Sequence, residues 1–246
     1  MSVEKALSEF KETEGKEAFT LQHSKMLKVE LSDVTIQAKL GSMVAYQGEV
    51  SFEHAGSGGM KKWAKKAMTG EGAALMKISG KGEVFLADLA QEIQVLKLDG
   101  EAITVNGANL LAFDDGIVWD IKRVEGASGM MGGGLYNTHL SGKGHVALIS
   151  DGAPVLIDVD SDPVFADPQA AITWSEGVKT SVKADVNLKT LIGRGSGETM
   201  QMQFSGKGWV LVQPSEGRVT STAAGGSGTA GSATGVAGSL GKMLGG

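Results

Sequence analysis

The chain contains no cysteine. That absence removes disulfides, thiolate zinc sites, iron–sulfur clusters and thiol nucleophiles together. Proline is scarce, with 4 residues in 246, and aromatic residues make up 5% of the chain. Basic charge is not in excess: 23 Lys and Arg against 28 Asp and Glu leave a net charge of −5. An acidic chain is a poor general binder of polyanions, so no nucleic-acid partner is expected. No run reaches the roughly 18 apolar residues that a membrane-spanning helix needs. The opening segment, Met1-Ser-Val-Glu-Lys-Ala-Leu-Ser-Glu-Phe-Lys-Glu12, has neither the apolar stretch of a signal peptide nor the Arg-rich character of a transit peptide. A cytoplasmic protein is the expectation, with peripheral membrane attachment kept open by a basic segment considered below.

Glycine is what the chain has in excess. Its 37 residues are about twice the usual share. Tight turns and backbone at positive φ use glycine in this way, and so does a flexible tail. From Ser221 onward the chain is mostly Gly, Ser, Ala and Thr, with too little apolar surface to order itself, so residues 215–246 are read as a flexible Gly-rich tail in which only Val236, Leu240, Met243 and Leu244 keep helical spacing. Residues 1–16 form an N-terminal segment in which a short helix is expected, with Leu7 and Phe10 as its few apolar positions.

Between these ends one tetrapeptide occurs three times, as Ser79-Gly80-Lys81-Gly82, Ser141-Gly142-Lys143-Gly144 and Ser205-Gly206-Lys207-Gly208. Each copy lies between short alternating apolar runs, the pattern of strands joined by a hairpin or bulged bend. A second element recurs in the same order: Val44-Ala-Tyr46, Leu111-Ala-Phe113 and Ile172-Thr-Trp174. Each is followed by a turn-like triplet, Gln47-Gly48-Glu49, Asp114-Asp115-Gly116 or Ser175-Glu176-Gly177, which reads as a hairpin. A third element precedes the aromatic: the acidic turns at Leu31-Ser-Asp33, Leu98-Asp99-Gly100 and Val159-Asp160-Ser161. Three elements in register predict an all-β fold with three internal repeats of about 60 residues, too long for solenoid units. The expected single β domain covers 17–214, divided at about 17–90, 91–152 and 153–214, with the repeats packed in pseudo-threefold symmetry around a shared core.

The chemistry suggested by these motifs is thin. A phosphate loop needs Ser or Thr after its Lys, and each Lys here is followed by Gly. Lys81, Lys143 and Lys207 read as solvated turn lysines in preference to an anion site. The histidines, His23, His54, His139 and His145, include no His-x-His pair of the kind a β-barrel metal centre uses. His139 and His145 straddle the second tetrapeptide and can face each other, but two ligands do not make a site. Asp114 and Asp115 sit at an expected hairpin tip, where solvation is usual. No catalytic residue, metal site or cofactor is expected.

The most pointed local feature is Met60 to Met68. On a helix Met60, Trp63, Ala64, Ala67 and Met68 share one face, and Lys61, Lys62, Lys65 and Lys66 take the other. Such a segment either lids one end of the β structure or lies against an anionic membrane or a protein partner. Met130 and Met131 stand at the equivalent place in the second repeat and add apolar side chains to the same candidate contact.

With these motifs laid out, the sequence resembles bacterial members of the family named for altered inheritance of mitochondria, number twenty-four. The resemblance rests on Leu40-Gly-Ser-Met-Val-Ala-Tyr46, on Thr69-Gly-Glu-Gly72 and on the recurring Ser-Gly-Lys-Gly pattern, and spans roughly residues 17 to 214. It implies a β fold akin to the tryptophan RNA-binding attenuation protein, built by duplication, and no catalytic residues. Fungal relatives are associated with organisation of the mitochondrial inner membrane. This chain shows no transit peptide and adds a Gly-rich tail, so only a hint of membrane association carries over. RNA binding does not, since a shared fold is analogy alone.

The expectation is therefore a non-enzymatic scaffold or interaction protein that self-associates and is peripheral to a membrane. The alternative is a binding module for a small apolar or anionic ligand, in or between the β repeats.

Overall fold

The computed structural model describes residues 2–15, 17–54, 74–124, 136–184 and 200–215. A short helix, α1 (Val3–Leu7), opens the chain as expected, and a 3-10 turn over Ser8–Phe10 ends it. The Ser2 hydroxyl caps it by accepting the Lys5 N–H at 3.3 Å. The helix stays at five residues because it buries nothing: Val3, Leu7 and Phe10 are all exposed.

Among the described residues the other regular structure is antiparallel β, apart from one further 3-10 turn at Gly107–Asn109. The strands are β1 (Phe19–His23), β2 (Met26–Lys39), β3 (Met43–His54), β4 (Leu75–Leu86), β5 (Glu92–Asn106), β6 (Leu110–Asp114) and β7 (Val118–Arg123). They continue with β8 (Tyr136–Ser150), β9 (Val155–Val159), β10 (Val164–Ala166), β11 (Ala171–Ser175), β12 (Val178–Ala184), β13 (Met200–Gly206) and β14 (Gly208–Val212). The first two tetrapeptides lie within single strands, β4 and β8, and the third spans the break at Lys207 between β13 and β14; all of these strands are flanked on both sides. β4 sits between β2 and β3, and β8 between β5 and the pair β6 and β7. β14 sits between β9 and β11, and β13 between β10 and β12.

The expected hairpins are not hairpins. β3 continues unbroken through Gln47-Gly48-Glu49 and stays paired with β4 along its length, Gly48 opposite Gly82. β6 and β7, either side of Asp114-Asp115-Gly116, both pair with the same strand, β8. These segments are bends that stack beside the tetrapeptide bend of the neighbouring strand, because a kink in one strand keeps its ladder only if the next strand kinks with it. The glycines permit this: Gly142 and Gly144 take φ of +116° and +147°. A side chain at Gly144 would also place its Cβ 2.8 Å from Asp114 Oδ2.

The acidic turns need the same correction. β2 passes through Ser32 and Asp33 with a register slip, and β5 through Asp99 and Gly100 with another. A bulge absorbs the extra residue without ending the strand. Only at Asp160-Ser161 does the strand stop, separating β9 from β10.

Two seams join these stretches edge to edge. β2 pairs with β6 through Ile36↔Asp114, Gln37↔Phe113 and Ala38↔Ala112. β5 pairs with β11 through Ile103↔Ser175, Thr104↔Trp174 and Val105↔Thr173. The result is an eleven-stranded sheet ordered β3-β4-β2-β6-β8-β5-β11-β14-β9, with β1 on β2 and β7 on β8, beside a three-stranded sheet β10-β13-β12. The buried apolar residues form three clusters that cross the seams, since Ile93, Leu111 and Ile149 join the first, Leu75 and Ile172 the second and Val124 the third. One centres on Leu27, Ile36, Ile78 and Leu86, a second on Phe113, Leu140 and Leu148, and a third on Trp174, Phe204 and Val210. No helix among the described residues is long and apolar enough to cross a membrane.

Candidate functional site

At the second seam the sheet opens into a cleft of about 520 Å³. Its walls come from five strands: Thr104 from β5, Lys122 from β7, His139 from β8, Trp174 from β11, and Lys179 from β12, with Glu176 in the bend between the last two. Register builds it. Thr104 lies opposite both His139 and Trp174, and Asp120 lies opposite His139 on the other side. Thr104 Oγ1 is 3.3 Å from His139 Nδ1, and the Thr173 hydroxyl donates to the Thr104 carbonyl at 2.9 Å. Trp174 is buried, in an edge-on contact with Phe204, and forms a rigid floor. The ammonium groups of Lys122 and Lys179 stand on exposed residues at the rim.

Burial holds the His139 pKa below its usual value, and the charge of Lys122 adds to the effect, while Glu176 and Asp120 pull the other way. The imidazole is therefore neutral at pH 7. The cleft offers two cations, one carboxylate and a neutral donor–acceptor.

The first seam shows why the second is open. Gln37 lies opposite Lys77, as Thr104 lies opposite His139. There Lys77 Nζ reaches Asp115 Oδ2 at 3.0 Å and Gln37 Nε2 donates to Asp115 Oδ1 at 2.7 Å, which fills the space. His and Thr in place of Lys and Gln are shorter, and leave a void beside Trp174.

Asp114 and Asp115 are not solvated tips. Asp114 Oδ2 accepts the His145 backbone N–H at 2.7 Å and lies 3.1 Å from that ring's Nδ1. The ring stacks on Phe19 with centroids 5.2 Å apart. His139 and His145 thus serve different surroundings. Lys81, Lys143 and Lys207 are exposed, and Lys143 pairs with an equally exposed Asp99. Among the described residues no group of three or more His, Cys, Asp or Glu side chains is placed to hold a metal ion. The contact proposed from sequence, Met60, Lys61, Lys62, Trp63, Lys65, Lys66, Met68, Met130 and Met131, lies outside the described residues.

The family model described as Mitochondrial biogenesis AIM24 matches residues 19–215. The chain belongs to this family. The match begins at the first residue of β1 and takes in both seams and the cleft. A crystal structure of a protein from Streptococcus pyogenes has the same fold, with a TM-score of 0.65 at 20% identity, over 79% of this chain and 91% of that one. No curated protein matches this AIM24-family chain.

No local pattern in the sequence groups Lys122, Glu176 and Lys179 with His139 in one cleft. The usable signal was the aromatic triplet, which marks Trp174 as an equivalent of Phe113. Nothing in the sequence says that β5 pairs with β11, and that pairing brings the cleft together.

Proposed function

We propose that this AIM24-family chain is a non-enzymatic scaffold of three repeated β units that binds a small anionic ligand where its second and third units meet. The observation that carries the reading is the cleft beside His139, rimmed by Lys122 and Lys179 and floored by Trp174. Two ammonium groups at the rim of one cleft favour a carboxylate or phosphate, and an aromatic floor accommodates an apolar portion of the same molecule. The common strand order of the three stretches supports a repeat, and the two seams support a scaffold that works by edge-to-edge joining, including self-association.

The test is retention of ligand. Native mass spectrometry of the purified full chain is expected to show a carried anion that the Lys122→Ala/Lys179→Ala variant loses. A bare mass, together with no His139 chemical-shift change on titration with inorganic phosphate or citrate, would sink the reading.

Peripheral membrane contact remains a second proposal, motivated by the basic amphipathic composition of Met60–Met68 in the connection from β3 to β4. Co-sedimentation with phosphatidylserine vesicles is expected, weakened by Trp63→Ala and by neutralising the four lysines. Absence of binding at low salt removes this proposal.

A further inference from the structure

The two seams follow one rule. At each, the three-residue segment opposite the run that leads into Ser-Gly-Lys-Gly pairs with the three-residue segment that carries the aromatic. Gln37 lies opposite Lys77, two residues before Ser79, and Thr104 lies opposite His139, two residues before Ser141. Their seam partners are Phe113 and Trp174. Phe113 in turn lies opposite Val146, five residues past Ser141, and Trp174 opposite Val210, five past Ser205.

The chain contains one more segment of each kind. Phe165 in β10 lies opposite Gln203, two residues before Ser205. Tyr46 in β3 lies opposite Val84, five residues past Ser79. These two segments do not pair with each other: β3 ends the eleven-stranded sheet, and β10 is an edge of the three-stranded one. Burial marks the difference. Leu110–Phe113 and Ala171–Trp174 are buried throughout. On the matching edge Val44 and Tyr46 are 55% and 51% exposed, and Phe165 is 45% exposed.

We propose that β10 of one copy pairs antiparallel with the first half of β3 of a second copy, as Val164↔Gln47, Phe165↔Tyr46 and Ala166↔Ala45. This deepens the self-association in the proposed function and does not depend on the cleft. The contact repeats the two seams within the chain, in their register, and so continues them. Its chemistry fits, since Val164–Ala166 and Met43–Gln47 carry no charged residue, whereas edges meant to stay single are usually blunted by charge. Phe165 and Tyr46 become directly opposed aromatic side chains, a favourable cross-strand pair. The contact joins two different surfaces, so copies add head to tail, and only ring closure leaves no edge open.

The absence of cysteine gives a direct test on the full chain. Gln47→Cys and Val164→Cys are made as separate single variants, mixed as folded proteins and oxidised. The expected result is a disulfide dimer in the mixture, at least tenfold above either variant alone. Light scattering is expected to give wild type a discrete mass of several chains, and Tyr46→Lys a mass of one chain, 25.4 kDa, with an unchanged circular dichroism spectrum. Oligomers without the crosslink overturn this seam and leave self-association through another surface. A wild-type monomer at 100 µM overturns both. A Gln47→Cys/Val164→Cys double variant that forms only an intrachain disulfide overturns the seam in favour of closure around a threefold axis within one chain.

Discussion

The carboxylate of Asp114 holds His145 at two points, its backbone N–H at 2.7 Å and its ring Nδ1 at 3.1 Å from the same oxygen. Ser175 does the backbone half of this work further along the chain, where its hydroxyl accepts the Trp209 N–H at 3.1 Å. In both places a side chain from one bend satisfies the backbone just past the tetrapeptide of the next strand, locking two kinks together.

Asp114→Ala leaves the His145 N–H without its partner and is expected to cost about 1–3 kcal/mol in urea unfolding, with Ser175→Ala near the lower end. Equal, negligible effects would show that the bends do not depend on these contacts.

Gly144→Ala combines an unfavourable backbone angle with a Cβ 2.8 Å from Asp114 Oδ2. Gly100 has φ of +104° but nothing within 4 Å of its added Cβ. Gly100→Ala therefore shows the backbone cost alone, about 1–2 kcal/mol, and Gly144→Ala is expected to exceed it. Thermal denaturation of the pair reads the difference.

At the other end of the sheet, Asn109 is buried, and its Nδ2 donates to the Ile149 carbonyl at 2.8 Å and to Gln213 Oε1 at 3.3 Å. Gln213 Oε1 also accepts the Asp151 N–H at 3.0 Å. Truncating Asn109 to Ala strands a buried carbonyl and is expected to cost about 1–3 kcal/mol. A double-mutant cycle with Gln213→Ala should show coupling, because the two share a bond.

His139 carries a pH prediction. Its folded pKa lies below the ordinary 6.5, so the unfolded chain binds the proton more readily. The stability it contributes is whole above about pH 6.5 and is lost as pH falls toward the depressed folded value. Wild type should lose more thermal stability than His139→Gln between about pH 7.5 and about pH 5.5. An anion in the cleft favours the imidazolium, so bound phosphate should raise the His139 pKa in an NMR titration.

Legibility followed the range of the interactions. The all-β class, the helix at Val3–Leu7 and the family were readable because alternation, composition and the tetrapeptide are local. The turns are not legible, because Gly48 or Gly116 looks the same in a hairpin and in a bend, and only the partner strand tells them apart. The expectation of a solvated Asp114 fails for the same reason, since His145 lies 31 residues away. The cleft was least visible of all, because Thr104 meets Trp174 across 70 residues through a pairing that no local pattern encodes.

Native mass spectrometry of the untreated full chain reads the seam between copies and the cleft within them in one spectrum. The expected result is a multiple of 25.4 kDa with a small anion bound to each chain. A single chain at its bare mass, unchanged across concentration, would contradict it.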